Sequence, residues 1–493
     1  MKASLAQLLT CIPGARLVPG ALLGAASDTA FDGVSTDSRS VAPGALFVAL
    51  RGEHFDAHDF LPQVAARGAA CVLAEALPPG WTLPALLVPD TLAALGHIAH
   101  FWRRQHVLPL LGVTGSNGKT TVKEMIAAIL AAAYGASARL ATRGNFNNEI
   151  GVPLTVLRLQ AGHRAAVIEL GMNHPGEIAR LCAIAAPTLG LVNNAQREHQ
   201  EFMHSVAAVA LENGAVLAAL PADGIGVFPH DDEFTPLWRE LSGARRVITF
   251  GLEPQADISC TYRVDAFGSQ LQVSVRSGAG AQQLAPAQQF GVVLAAAGVH
   301  NVRNALAAIA CALGAGIDTQ AIVRGLQAFA PAPGRLQQKR AADGVHLIDD
   351  TYNANPDSVR AAIDVLAMAP APRFLVLGDM GEVGGQGRQF HEEIAAYAAS
   401  QGIDHVLATG VLARHLKHAG PAVEHFEEFD ALLAALDAHL ARCTGNELDN
   451  AVADPAATAP SCATVLVKGS RFMKMERVVQ HLTTPNNNNK ETA

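Results

Sequence analysis

The chain is 493 residues long, half hydrophobic, 16% charged and only 5% aromatic, with a formal net charge of −8. Such a length outgrows one ordinary core and predicts two to four domains, and the negative balance argues against nucleic acid as the main partner. The seven scattered cysteines form no CxxC pair, so neither a disulfide frame nor a zinc site is expected, and no uncharged apolar run reaches the roughly 18 residues of a membrane helix.

The amphipathic start lacks a signal peptide's apolar core, which adds the expectation of a soluble cytoplasmic protein. Abundant Ala and Gly suit α/β layers, where small residues let helices lie close on sheets. In chain order, the first segment predicts strands at 46–50 and 70–74 and a helix near 60–67, until a proline-rich run between Pro78 and Pro89 breaks the pattern. A helix follows, then an apolar strand at 107–113, a Gly-rich loop and a strong helix at 122–133. Strands at 165–170, 189–193 and 247–251 come at α/β spacing. Around 258–276 the period drops to two, with a turn at Gly268-Ser269, predicting an antiparallel patch on a mainly parallel sheet.

After the helical "HNVRNALAAIACAL", Pro331, Pro333 and Gly334 break the chain again. The last third repeats one theme: "VHLIDD", "RFLVLGDM", "HVLATG" and "TVLVKGSR" are apolar strands ending in polar or Gly residues. They predict a second open α/β sheet with ligands at the C-terminal strand ends. The expected domains are 1–88, 89–331 and 332–493, with a surface insertion at 450–460 and a disordered tail at 483–493.

The stretch "LLGVTGSNGKTT" at 110–121 departs from the strict phosphate-loop pattern, because Val113 stands where the first Gly belongs. Its physical logic survives: Gly115 and Gly118 let backbone N–H groups approach an anion at the positive end of the next helix. Lys119 can reach a terminal phosphate, and the Thr120 hydroxyl can ligate Mg²⁺. Glu169 ends a following strand and suits a hard cation, whereas His199, taken alone, is more often a surface histidine. "TRGNFNNEIGVPLT" at 142–155 is either an Asn/Gly turn pair or a wall of amides for substrate oxygens.

These stretches combine with others: "ELGMNHPGEI", "HNVRNALAA", "PGRLQ", "LIDDTYNANPDS", "LGDMGEVG" and "VLVKGSR" follow in order, and "STDSRSVAPGALFVALRGEHFDAHDF" precedes them. Over nearly the whole chain the set resembles the Mur ligases, and within them the branch that adds D-alanyl-D-alanine to a UDP-N-acetylmuramoyl-tripeptide. "DDTYNANP" and "NFNNEIGVPLT" are its specific members. Folylpolyglutamate synthases and other Mur ligases share the loop but fit the first domain less well.

The resemblance implies three α/β domains: a small UDP-sugar-binding domain, a central P-loop-type ATPase sheet and a C-terminal Rossmann-like domain. It implies ATP and Mg²⁺, the tripeptide and dipeptide as partners, and a monomer. ATP would phosphorylate the tripeptide carboxylate, and the dipeptide amine would attack the resulting acyl phosphate. Lys119, Glu169 and His199 would be catalytic, with Thr120, Glu169 and His199 at the metal. Thr114, Gly115, Ser116, Asn117, Gly118, Lys119, Thr120 and Thr121 would hold the ATP phosphates. Asn304 would contact adenine, and Arg335 and Asp350 would reach the nucleotide from the last domain.

Acceptor and dipeptide contacts would fall to Asn145, Asn147, Asn148, Asn353, Asn355, Asp379, Lys468, Ser470 and Arg471. Ser35, Thr36, Ser38 and Arg39 would lie near the UDP-sugar. Because two domains share one nucleotide, closure about 331–334 is implied. The chain departs from the family pattern at Ala57, and more seriously at Asn213, where a carbamylated Lys usually supplies a metal ligand. An amide cannot be carbamylated, so no modified Lys is expected, and the neighbouring Glu212 should point from a different helix face.

Overall fold

The structure is a computed structural model that describes residues 1–21, 26–198, 200–276, 288–341, 344–419, 423–450 and 463–484. Position 199, most of the 450–460 insertion and residues 485–493 of the tail lie outside the described residues.

Among the described residues, three large sheets follow one another along the chain, besides a small antiparallel pair of Lys2–Ser4 with Ala30–Asp32. The first has five strands in the order Arg16–Val18, Ala85–Leu87, Cys71–Ala74, Leu46–Val48 and Val34–Ser35, antiparallel only at the Arg16–Val18 edge. The middle sheet has nine strands. Its parallel part runs Arg139–Ala141, Ala165–Glu169, Leu110–Thr114, Leu189–Val192, Ile225–Pro229 and Arg246–Phe250. Three strands extend it: Ile258–Val264 joins in parallel through Phe250, and Ser269–Val275 and Gln288–Leu294 continue antiparallel. The last sheet runs Gln337–Arg340, His346–Asp350, Thr464–Lys468, Arg373–Leu377, His405–Thr409 and Val423–Phe426, antiparallel only at its first pair.

Alternation along each strand sets the packing. In the middle sheet, Leu110, Ala166 and Ile168 face one apolar cluster, while Leu111, Val113, Ala165 and Val167 face the other. The second cluster is capped by helix Val299–Gly314, whose Ala, Ile, Leu and Cys side chains are almost all buried. The first cluster does not stop at the domain limit. Leu5, Leu8, Leu46 and Leu73 of the first domain share it with Leu95 and Ile98 of helix Thr91–Arg103 and with Leu140 and Val156. The last sheet repeats the alternation: Leu375 and Leu377 face one side, Phe374 and Val376 the other.

The antiparallel patch is present as expected, but its turn lies one residue early. The Asp265 carboxylate accepts from the N–H groups of Phe267 and Gly268, closing an Asx turn. Ser269 already belongs to the strand, its buried hydroxyl donating to the Ala296 carbonyl. The strand before the Gly-rich loop begins at Leu110, leaving Val107 fully exposed.

Candidate active site

Register brings the site together. Leu110–Thr114 is flanked by Ala165–Glu169 and Leu189–Val192, with Glu169 opposite Val113 and Val192 opposite Thr114. The polar residues that end these strands therefore surround the loop at 115–118. Gly118 has φ +80 and caps helix Lys119–Tyr134 without a side chain; a Cβ there would meet Asn304 Oδ1 at 2.4 Å. Gly115 has φ +133, and its Cβ would press on Asn193 at 2.9 Å. Only glycine fits either position, and the helix presents its free N–H groups to the cleft.

Lys119 Nζ donates to the carbonyls of Gly115 and Ser116 and to both Glu198 oxygens, at 3.0 and 3.2 Å. Glu169 Oε1 accepts from Thr120 Oγ1 at 3.2 Å and from Asn147 Nδ2 at 2.8 Å. Its Oε2 is buried and has no hydrogen-bond partner among the described residues. An orphaned carboxylate oxygen beside a threonine hydroxyl is the oxygen-rich environment that a hard divalent cation takes. Among the described residues, no three His, Cys, Asp or Glu side chains cluster into a ready-made metal site.

The last domain closes over the loop. Arg335 donates to Thr120 Oγ1 at 3.2 Å and lies 3.9 Å from the centre of the Tyr352 ring. Asn355 Nδ2 donates to Asn117 Oδ1 at 2.9 Å. The ends of His346–Asp350 and Thr464–Lys468 are in register, which places Asp350 and Lys468 side by side as a buried ion pair. Lys468 also donates to the Asn353 carbonyl at 3.0 Å. His300 faces the same cavity; burial, then the Lys468 ammonium, push its imidazole down to about 4, so the ring is neutral at ordinary pH.

The cavity between the two domains measures about 770 Å³. It gathers Ser116 to Thr121, Asn145, Asn147, Asn148, Glu169, Asn304, Arg335, Asp350, Asn353, Asn355 and Lys468. Thr114 and Gly115 lie beneath it as buried support. Asn304 lines it while its amide is held by Asn193 and Asn301, and Asn148 uses its Oδ1 to hold the N–H groups of Ile150 and Gly151.

Other residues singled out in the sequence are not brought there. Asp379 is buried and accepts from the N–H groups of Val411, Leu412 and Ala413, tying down that loop. Ser470 bridges Gly381 N and the Ala354 carbonyl, and exposed Arg471 pairs with Glu476. Ser35, Thr36, Ser38 and Arg39 sit in the first domain away from the cavity lining, where Arg39 hydrogen-bonds Asp37 and holds its carboxyl down at about 2. His199 lies outside the described residues. Sequence reading missed Glu198, Asn193 and Gln196; the polar run "NNAQREHQ" after a strand was the signal, but only its His stood out.

Three family models match the chain: Mur ligase family, catalytic domain, over residues 30–103; Mur ligase middle domain over 113–312; and Mur ligase, glutamate ligase domain, over 334–471. The UDP-N-acetylmuramoyl-tripeptide–D-alanyl-D-alanine ligase of Escherichia coli K12 is 38% identical over 468 residues, covering 94% of this chain and 96% of that protein. The chain belongs to the Mur ligase family. The ligase of the same name from Bacillus subtilis is 33% identical, over 92% of this chain and 93% of its own length. Among solved structures, MurF from Acinetobacter baumannii superposes with a TM-score of 0.86 at 32% identity, covering 98% of this chain and 99% of that one. MurF ligase from Thermotoga maritima, in complex with ADP, gives 0.77 at 25% identity over 91% and 96%.

Within this Mur ligase, Asn213 serves the loop. It is 1% exposed; its Oδ1 accepts from Gly115 N at 3.0 Å, and its carbonyl accepts from Thr114 Oγ1 at 3.2 Å. The N–H of Gly115 thereby fixes the amide's orientation, so the atom left without a partner is Nδ2, a donor unable to ligate a cation. Glu212 turns elsewhere, as expected: its two oxygens accept from Gly176 N and Ile178 N at 2.8 Å, capping helix Glu177–Ala185.

A lysine at position 213 would lose the bond to Gly115 and bury an ammonium. Asn213→Lys should therefore destabilise the protein by about 2–4 kcal/mol in denaturant unfolding. The ¹³C NMR spectrum of the protein equilibrated with ¹³C-bicarbonate at mildly alkaline pH should show no lysine carbamate resonance. A carbamylated lysine near the loop, or an N213K variant as stable as the parent, would overturn this account.

Proposed function

We propose that this Mur ligase joins D-alanyl-D-alanine to UDP-N-acetylmuramoyl-tripeptide at the expense of ATP, acting in the cytoplasm and giving the pentapeptide precursor, ADP and phosphate. The observation that carries the reading is the cavity in which residues 116–121 of one domain meet Arg335, Asp350, Asn353 and Lys468 of the next. A carboxylate is a poor electrophile. Phosphoryl transfer from ATP would activate the tripeptide's terminal carboxylate as an acyl phosphate, and the dipeptide amine would then displace phosphate.

The chain's own groups fit that order. The N–H groups at the start of helix Lys119–Tyr134 and the Lys119 ammonium would bind and orient the terminal phosphate, and Lys119 and Arg335 would offset the charge that develops on it. Thr120 and Glu169 would hold Mg²⁺, which when bound supplies positive charge to the phosphates. Asn147 orients Glu169 by occupying one of its oxygens. Closure by the last domain excludes water, which would otherwise hydrolyse an acyl phosphate.

Phosphate release tests the reading. It should require both UDP-muramoyl tripeptide and D-alanyl-D-alanine, and running the assay with diaminopimelate- and lysine-containing tripeptides assigns the third residue. Nucleotide hydrolysis that proceeds equally without either substrate would point instead to a nucleotide-dependent switch.

A further inference from the structure

A second cavity, of about 440 Å³, lies between the first and middle sheets and shares no lining residue with the first. Gly33 and Val34 contribute one wall; Arg139, Arg143, Arg158, Gln160 and His163 contribute the other. We propose that this cavity, through Arg139, Arg143 and Arg158, binds an anion bearing a diphosphate group.

Three arginines line one space, and no Asp or Glu lines it among the described residues. The protein as a whole carries 44 acidic against 36 basic residues, so an acid-free cluster of arginines runs against its composition. Arg139 Nε is buried and has no hydrogen-bond partner among the described residues. The Arg158 guanidinium makes one hydrogen bond among the described residues, a long 3.5 Å contact to the Ala141 carbonyl. Burial and the neighbouring Arg143 disfavour the charged form of Arg158, and burial and then Arg158 push the His163 imidazole down. The protein thus leaves this repulsion uncompensated, and an anion in the cavity would relieve it.

Guanidinium forks match phosphate oxygens two at a time, and several around one space suit a group with two phosphates. The volume also falls in the range of ordinary small-ligand sites. Two sources share this chemistry. One is the diphosphate of the UDP-linked acceptor, which rests on the function proposed above; the other is a free diphosphate such as pyrophosphate.

The test is calorimetry on the full-length protein with the main cavity saturated by ADP, using inorganic pyrophosphate and UDP as probes and uridine as the control. Pyrophosphate and UDP should bind, uridine should not, and added salt should weaken binding. Arg139→Gln and Arg158→Gln should each weaken it by about tenfold or more. Arg143→Gln, at an exposed position where folding is not at stake, should weaken it in the same direction. A raised KM for the UDP-linked tripeptide with unchanged kcat in these variants assigns the acceptor as the source, and an unchanged KM assigns a free diphosphate. Absence of binding beyond the ADP site, or binding unaltered in all three variants, overturns the proposal. Binding that persists in a protein without ligase activity would uphold this site and remove the function instead.

Discussion

Lys119→Met should lower kcat for dipeptide-dependent phosphate release by about 10²–10³-fold while leaving the melting temperature nearly unchanged. Lys119 sits at the start of its helix, and its ammonium is held at the loop by two carbonyls and by Glu198. A charge fixed in advance costs no reorganisation when the terminal phosphoryl group moves, which is why its loss should appear in kcat. The KM for D-alanyl-D-alanine should barely change, because that substrate reacts only after the phosphate has moved. Lys119→Arg sharpens the test. It keeps the charge but replaces a compact ammonium with a planar fork, so most of the activity should still be lost. An Arg variant as fast as the parent would reduce Lys119 to a source of general positive potential.

Arg197→Ala should open the molecule. Arg197 follows strand Leu189–Val192 in the middle domain and reaches two acids of the last one. Its Nη2 lies 2.6 Å from Asp357 Oδ1 and its Nη1 2.8 Å from Glu393 Oε2, while its backbone N–H donates to Asp357 Oδ2 at 2.9 Å. The two carboxylates raise the pKa of the guanidinium well above its usual value. Removing the side chain leaves two facing acids, with Arg360 alone among the described residues to offset Glu393. The groups are partly exposed, so the expected loss of closure is about 1–2 kcal/mol. That should appear as a roughly tenfold higher KM for ATP and a larger radius of gyration in scattering with ATP analogue bound. High salt should shift the parent toward the variant. Equal scattering profiles for the two proteins would show that closure does not depend on this contact.

The parts of the fold most legible in the sequence were those dominated by burial. Strands Leu110–Thr114, Ala165–Glu169, Leu189–Val192 and Thr464–Lys468 are covered on both faces and read as apolar runs. Edge strands did not stand out: Gln337–Arg340 is "QQKR", with nothing apolar to mark it, and Arg139–Ala141 is only three residues long. Ile225–Pro229 ends in a proline, a residue that argues against a strand from sequence alone.

The site divided in a similar way. Loop, Glu169, Arg335 and Asp350 could be placed because each ends a strand or follows a break that the sequence marks. Asp379 and Ser470 also end strands, yet their side chains turn back to satisfy nearby N–H groups. Position along a strand does not reveal which way a polar side chain turns. Glu198 went unnoticed for the opposite reason: its importance lies in a lysine 79 residues away.

The apolar cluster that runs from Leu5 and Leu46 through Leu95 and Ile98 to Val156 has a mechanical consequence. Two sheets that share one dry interior cannot rock against each other without exposing it. The first and middle domains should therefore move as one rigid jaw, with the last domain, joined to them through polar contacts such as Arg197 and only a small apolar contact at Ala266 and Ala297, as the other. Whatever occupies the arginine-lined cavity at their seam would then be carried by the stationary jaw, and its grip would not change as the enzyme opens and closes.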